Sequence, residues 1–212
     1  MVQTVYKKEY QDQISVFDFN MRPGPSDFAR PDCTETNYDD CEKGTNPGRT
    51  YRFFVDKPVV PFGFGLSYSK FEYELISSPE SVSLETVREA LEEADGGFMA
   101  MEIGAKCVSS GYIVKVTNTG NIDADDVVLG FAHSPGAGKN GVPLKSLFGF
   151  ERVFVRSGES VEVTLYPGIK DFTVVDKTGT RKAVEGSYRF SFGVEETSNE
   201  GGGFIVHAID VY

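Results

Sequence analysis

From residue 98 onward, apolar and polar residues alternate with a period of two, which is the pattern of half-buried β-strands. This alternation assigns two strand faces, one formed by Tyr112, Val114 and Val116 and the next by Val127, Leu129 and Phe131. The series continues at residues 144–155, 161–165, 188–192 and 204–211, with Gly-containing turns between the runs. About seven short strands with regular turns predict a mainly β fold, an antiparallel β-sandwich of immunoglobulin-like topology.

One segment has the helical rather than the strand period. In residues 79–95, Leu84, Val87, Leu91 and Ala94 recur at helical spacing, with Glu and Arg on the other face. The following Gly96-Gly97 pair ends the pattern. The sequence therefore predicts a single short amphipathic helix that covers an edge of the sheet.

Residues 1–69 show little periodicity. The middle of this segment, residues 21–48, is so rich in Pro and polar residues that a helix or a central strand is excluded. We expect a long irregular loop, which needs a surface to lie on or a function of its own. Cys33 and Cys41 flank its most polar part and could close it as a disulfide in an oxidising compartment.

Charge and hydropathy exclude two classes of partner. The net charge of the 212 residues is -11, and no cluster of Lys and Arg stands against it, so we expect no nucleic-acid binding. No apolar run approaches the roughly 20 residues that cross a bilayer, so we expect no membrane partner. The N-terminus lacks the apolar core of a secretory signal. If a parent protein is secreted, its signal lies upstream.

The sequence also contains no convincing catalytic, dinucleotide-binding or metal-binding motif. The adjacent acid pairs are poor general acid/base candidates, because neighbours on a strand point to opposite faces: Asp39-Asp40, Glu92-Glu93, Asp125-Asp126 and Glu195-Glu196. Residues 136–141 (GAGKNG) match a dinucleotide-binding pattern in form, but a strand-like run follows where a helix is needed. His133 and His207 lie in strand-like runs without metal-ligand spacing. We expect no catalytic residues, no cofactor and no metal.

Six motifs follow one another along the chain. They are NMRP at residues 20–23, PGRTYRF at 47–53, PFGFGLSY at 61–68, VTNTGNIDADDVV at 116–128, LFGFERVFV at 147–155 and FTVVDKTGTRKAVEGSYRFSFG at 172–193. In this order and spacing they resemble the C-terminal portion of family 3 glycoside hydrolases. The resemblance is to the branch of β-xylosidases and α-arabinofuranosidases, which is related to β-glucosidases. Two features depart from the family pattern. The link between residues 23 and 46 is longer than usual, and the family's sandwich does not require the acidic helix.

The resemblance implies two domains. Residues 1–69 would be the tail of a preceding α/β sandwich domain with its linker, the PFGFGLSYS segment, and residues 70–212 a fibronectin type III-like β-sandwich. The parent would hydrolyse terminal β-linked xylosyl or glucosyl units. Its catalytic carboxylates would lie in upstream domains, so the chain itself would be a non-catalytic part that stabilises them. The parent, and this chain with it, would be secreted or extracytoplasmic.

The aromatic-rich segment between the two units supplies the candidate docking residues: Arg49, Tyr51, Phe53, Phe62, Phe64 and Tyr68. Aromatic rings could stack on sugars, but Phe has no polar tip and suits a dry contact between domains. The expected partners are the upstream catalytic domains of the same polypeptide. Two alternatives stay open, since a fold alone does not determine function. One is a stand-alone structural or interaction module that binds a protein partner, and the other is a carbohydrate-binding domain.

Overall fold

The computed structural model describes residues 3–93, 110–176, 178–195 and 202–212. Within these residues the strands are, in chain order, β1 (Gly24–Ala29), β2 (Lys43–Asn46), β3 (Phe71–Ser77), β4 (Ser81–Val82), β5 (Tyr112–Asn118), β6 (Ala124–His133), β7 (Ser146–Val155), β8 (Ser160–Leu165), β9 (Thr173–Val175), β10 (Arg181–Ala183), β11 (Gly186–Gly193) and β12 (Phe204–Val211). The helices are α1 (Tyr10–Gln13), α2 (Thr50–Phe53) and α3 (Leu84–Glu93), with 3-10 turns at Tyr38–Asp40 and Ile169–Phe172.

Two facing sheets form the sandwich. One has five strands in the order β4-β12-β11-β6-β7, and the other has three in the order β3-β5-β8. Neighbouring strands are antiparallel, except that the short β4 runs parallel to β12. The core between the sheets contains fully buried aromatic rings, among them Tyr112, Tyr188, Phe190 and Phe192. The predicted antiparallel β-sandwich is confirmed.

Strand β5 shows why the period-two pattern forms a sheet. Tyr112, Val114 and Val116 are fully buried, and the residues between them are only partly buried. Because successive side chains on a strand point to opposite faces, this alternation places one face of β5 against the core. The β-branched valines also fit the pleated surface well.

Strand β6 is buried on both faces around Phe131, which the alternation alone did not show. The expected face of Val127, Leu129 and Phe131 points away from the core, while Val128 and Ala132 point into it. Phe131 is nevertheless fully buried, because residues of the N-terminal segment cover the outer face at that position. A central strand covered from both sides has two apolar faces.

The predicted helix forms, but it is shorter than the pattern suggested. α3 begins at Leu84 because Ser81 and Val82 pair with the end of β12 instead. Leu84, Val87 and Ala90 are buried in the core cluster, and the helix contacts β10 and the Ile169–Phe172 turn. Residues 94 and 95 of the predicted helix lie outside the described part of the chain.

The polar middle of the N-terminal segment is more ordered than an irregular loop. β1 and β2 pair with each other in a two-stranded antiparallel sheet. The pairing is compatible with Pro25 because both strands are edges, where a missing backbone donor is tolerated. A disulfide joins Cys33 to Cys41, and Arg30 forms an ion pair with Asp32 at 2.6 Å in the connecting loop. The segment is thus irregular as expected, apart from two short edge strands that the sequence pattern did not indicate.

A buried amide fixes one end of the sandwich. The side chain of Asn118, at the end of β5, is 0% exposed. Its Oδ1 accepts hydrogen bonds from Ser69 Oγ at 2.6 Å and from the backbone N–H of Gly120 at 3.0 Å. Its Nδ2 donates to the carbonyls of Ile122 at 2.8 Å and Val155 at 2.9 Å. These four hydrogen bonds satisfy both acceptor sites of the amide oxygen and both N–H donors of the amide nitrogen. They join the residues before β3, the turn after β5 and the end of β7.

A buried tyrosine fixes the other end. The Tyr188 hydroxyl lies 2.9 Å from the carbonyl oxygens of both Phe172 and Val184. Burial raises the pKa of Tyr188 to about 12, so the hydroxyl keeps its proton at neutral pH. A tyrosine near the start of a strand that bonds to backbone a few residues upstream is a hallmark of immunoglobulin-like sandwiches.

The turn beside this tyrosine contains a buried carboxyl. Asp171 is almost fully buried, and its Oδ2 accepts a hydrogen bond from the backbone N–H of Gly168 at 2.8 Å. Burial raises the pKa of Asp171 to about 6. The hydrogen bond from Gly168 and the charges of Lys170, Arg181 and Arg52 act in the opposite direction but do not cancel the effect of burial.

Replacing Asn118 by Asp should lower the free energy of unfolding by about 2–4 kcal/mol, because two buried carbonyls lose their donors and a carboxylate faces them. Urea unfolding followed by circular dichroism measures the change. Asn121→Asp is the matched control, since Asn121 is exposed in the same turn and should change stability by less than about 0.5 kcal/mol. Equal effects of the two substitutions would contradict the structural role of Asn118.

The raised pKa of Asp171 predicts a pH dependence of stability. Between its ordinary pKa of 3.8 and the folded value of about 6, the folded chain holds a proton that the unfolded chain releases. Stability should therefore fall by up to about 3 kcal/mol as the pH rises from about 4 to about 6. Asp171→Asn keeps an acceptor for Gly168 and should remove this fall, as measured by urea unfolding across that range.

Asp176→Asn is the control. A hydrogen bond from Lys182 holds the pKa of Asp176 well below its ordinary value of 3.8, so this group contributes stability that is lost only as the pH falls below about 4. Asp176→Asn should therefore leave the fall between pH 4 and 6 in place. If Asp171→Asn leaves the slope between pH 4 and 6 unchanged, a different group causes it.

Candidate functional site

An aromatic seam joins the N-terminal segment to the sandwich. The rings of Tyr51 and Phe62 stack with their centroids 4.3 Å apart, and both contact the edge of Phe131 on β6, at 5.9 Å and 6.3 Å. The Tyr51 hydroxyl accepts a long hydrogen bond of 3.4 Å from the backbone N–H of Leu147. We call Tyr51, Phe62 and Phe131 the aromatic seam. Two predicted docking residues are thus in contact with the sandwich itself.

A glycine beside the seam permits this close approach. Gly63 has a φ of +86°, a region that L-residues with side chains rarely adopt. A Cβ atom at this position would lie 2.5 Å from Leu129 Cδ1 and 3.0 Å from Val194 Cγ2. The PFGFGLSY motif therefore needs glycine here both for its backbone conformation and for its packing on β6.

Phe53, another predicted docking residue, is buried by arginines of the same chain. The guanidinium carbons of Arg22 and Arg52 lie 5.4 Å and 5.5 Å from the centroid of its ring. Arg22 Nε also donates to the carbonyl of Gly141 at 2.9 Å. The Arg52 carbonyl accepts from the backbone N–H of Leu144 at 2.6 Å. These contacts attach α2 to the loop between β6 and β7.

Arg49 points into the N-terminal segment rather than away from it. Its Nη2 donates to the backbone carbonyl of Asp18 at 2.6 Å, while its Nε is buried without a hydrogen-bond partner. Burial acts to raise the pKa of Asp18, but hydrogen bonds from Ser26 and Asn20 and the charge of Arg49 outweigh it and lower the pKa. The arrangement stabilises a folded N-terminal segment around Asp18.

The remaining two predicted docking residues differ in exposure. Phe64 is partly buried, whereas the side chain of Tyr68 is 93% exposed. The structure thus brings Tyr51 and Phe62 together at the seam and leaves Tyr68 on the surface. Whether any of the six residues contacts another domain stays a prediction.

The sequence reasoning missed an apolar surface on the hairpin of β6 and β7. Phe150, Phe154 and Val127 are exposed on its outer face, beside the exposed Leu66 of the PFGFGLSY motif. The signal was present in the sequence, because β7 carries apolar residues on both faces over ten residues. A strand of an ordinary half-exposed sheet would carry polar residues on the outside.

The acid pair on β6 is engaged in structural contacts. Asp125 forms an ion pair with Arg152 at 2.6 Å, and Asp126 accepts a hydrogen bond from the Tyr73 hydroxyl at 2.8 Å. The described residues contain no group of three or more metal-ligating side chains. Residues 136–141 form tight turns before β7. No helix in the described part of the chain is long and apolar enough to cross a membrane.

Comparison with known proteins identifies a domain family and relatives that are named as β-xylosidases. A fibronectin type III-like domain family matches residues 126–195. Probable beta-D-xylosidase 6 of Arabidopsis thaliana is 37% identical over 158 residues, which cover 67% of this chain and 19% of that protein. Beta-xylosidase/alpha-L-arabinofuranosidase 2 of Medicago sativa subsp. varia is 28% identical over 193 residues, which cover 90% of this chain and 22% of that protein. The chain spans about a fifth of the length of these relatives.

A solved structure gives the same result for the fold. A GH3 exo-beta-xylosidase (XlnD), in complex with a xylobiose aziridine activity-based probe, superposes with a TM-score of 0.69 at 23% identity. The superposition covers 99% of this chain and 24% of that one. Residues 126–195 therefore belong to the fibronectin type III-like domain family, and the chain as a whole is similar to the C-terminal region of family 3 glycoside hydrolases of the β-xylosidase branch.

Proposed function

We propose that the chain acts as the non-catalytic C-terminal region of a family 3 glycoside hydrolase and stabilises its catalytic domains. One observation carries this proposal. The Medicago relative aligns with 90% of this chain, yet the aligned region is only 22% of that enzyme. Residues 1–69 and 70–212 stay our proposed division into a tail of the preceding domain and the sandwich. The family match at residues 126–195 lies within the second unit.

The positions of the acidic side chains support a non-catalytic role. A retaining glycosidase needs two carboxyl groups about 5–5.5 Å apart on either side of the sugar. Asp125 and Asp126 are neighbours on β6, so their side chains point to opposite faces of the sheet, where Arg152 and Tyr73 engage them. Both carboxyl groups already have structural partners.

The relatives support a substrate class for the complete enzyme. The curated relatives are named as xylosidases, one of them also as an α-L-arabinofuranosidase. We propose that the catalytic domains served by this region release terminal β-xylosyl or β-glucosyl units. The disulfide between Cys33 and Cys41 supports a secreted or extracytoplasmic location, because disulfides persist in oxidising compartments.

A chimera tests the stabilising role. The region of the Medicago enzyme that aligns with this chain is replaced by this chain, and hydrolysis of an aryl β-xyloside and thermal inactivation are measured. We expect the chimera to keep at least about a tenth of the parent activity, while the enzyme truncated at the same point loses activity or inactivates much faster. The reason is that the truncated enzyme exposes the apolar surface that this region would cover.

Two results would contradict the proposal. One is a chimera no more active or heat-resistant than the truncated enzyme. The other is hydrolysis of the aryl β-xyloside by the isolated chain that persists through successive purification steps, because we expect the isolated chain to show none.

A further inference from the structure

The outer face of the β6/β7 hairpin is unusually apolar for a surface. Phe150 is 64% exposed and Phe154 57% exposed. In the register of the two strands, Phe150 lies opposite Leu129, Arg152 opposite Val127 and Phe154 opposite Asp125. Directly opposed residues of an antiparallel pair share a face, so these side chains form one continuous surface. We call Val127, Phe150, Arg152 and Phe154 the hairpin face.

A cleft connects the hairpin face to the PFGFGLSY motif. It has a volume of about 380 Å³, and its lining includes the apolar Phe62, Leu66, Val127, Leu129 and Val194 and the polar Tyr73, Asp125, Asp126 and Arg152. Leu66 is 80% exposed. Phe62 is also part of the aromatic seam, so the cleft lies directly beside the contact that attaches the N-terminal segment. The apolar surface therefore extends across both units of the chain.

The polar groups on the lining of this cleft are paired with each other. Arg152 Nη2 donates to Asp125 Oδ2 at 2.6 Å, and the Tyr73 hydroxyl donates to Asp126 Oδ2 at 2.8 Å. The apolar Leu66 and Val127 beside them are exposed and can contact a partner. Apolar contacts combined with polar groups are the usual composition of a protein–protein interface.

We propose that the hairpin face and the adjoining cleft form the surface that docks on the catalytic domains, and that the cleft receives an aromatic or aliphatic side chain from them. This inference rests on the function proposed above and locates its contact. It moves the docking surface away from Tyr51 and Phe53, which are used within the chain, to the hairpin and the cleft, where Phe62 belongs both to the lining and to the aromatic seam.

We favour the catalytic domains as the occupant because of the length of the relatives and the position of the cleft in the chain. The chain spans about a fifth of its curated relatives, so their remaining four fifths are available to cover a surface of this kind. The cleft also lies next to the segment that the proposal assigns to the join between domains. An exposed apolar surface of this extent on a soluble domain marks an interaction site.

The test uses the chimera with the Medicago enzyme and compares charged substitutions on two surfaces. Phe150→Asp and Leu66→Asp alter the hairpin face and the cleft. Ile76→Asp is the matched control, because Ile76 is a 45% exposed apolar residue on β3, in the other sheet. Residual activity after a heat challenge is measured for each chimera, and the unfolding midpoint is measured for each isolated chain.

We expect Phe150→Asp and Leu66→Asp to lower the residual activity of the chimera at least tenfold. Ile76→Asp should change it less than twofold. The isolated chains should unfold at nearly the same urea concentration, because all three side chains are already exposed there. This difference between chimera and isolated chain separates lost docking from lost folding.

The other outcomes overturn the inference in distinguishable ways. If the substituted chimeras inactivate like the unsubstituted one, the docking surface is elsewhere and the proposed function stands. If the unsubstituted chimera gains nothing over the truncated enzyme, the proposed function fails and the inference fails with it. If the isolated chain is a dimer that Phe150→Asp converts to a monomer while the chimera is unaffected, the face binds a second copy.

Discussion

The arrangement of this chain depends on the burial of β6 from both sides around Phe131. Val128 and Ala132 pack into the core between the sheets, and Phe131 is buried on the opposite face by Tyr51 and Phe62. Full burial of a Phe side chain stabilises by about 1.5–3 kcal/mol relative to leaving it exposed. Without the N-terminal segment, this ring would lose both aromatic rings that pack against it on an inner strand of the larger sheet. The sandwich and the segment that precedes it are therefore energetically coupled.

Polar contacts give this apolar contact a fixed geometry. Asn118 hydrogen-bonds Ser69, which lies two residues before β3 begins, and so fixes where the PFGFGLSY motif meets the sandwich. Gly63 lets the motif lie against Leu129 and Val194. Apolar burial supplies most of the attraction but has no direction, whereas a fully bonded buried amide tolerates only one arrangement. Together they define a single path for the chain between its two units.

The sequence predicted the strands well and their surroundings less well. β5 and β12 were recognisable because their periodicity is local, and the β12 limits of Phe204 and Val211 match the predicted run. The pairing of β1 with β2 was missed, since it joins residues that are distant along a Pro-rich chain and depends on tertiary contacts. A period of two also reveals that β6 and β7 have two faces, but not which face another segment covers.

Because a sequence pattern does not show which segment covers a face, it also did not show what the predicted docking residues contact. Aromatic residues in the PGRTYRF and PFGFGLSY motifs indicated an interface, and Tyr51 and Phe62 do lie at one, between the N-terminal segment and β6. Composition could not show that this interface is internal to the chain. Only the register of β6 and β7 reveals that Phe150 and Phe154 share a face with Val127 and that this face is open. The hairpin thus has one outer region closed by its own chain and one that remains available to a partner, and the physical argument for a docking module rests on that second region.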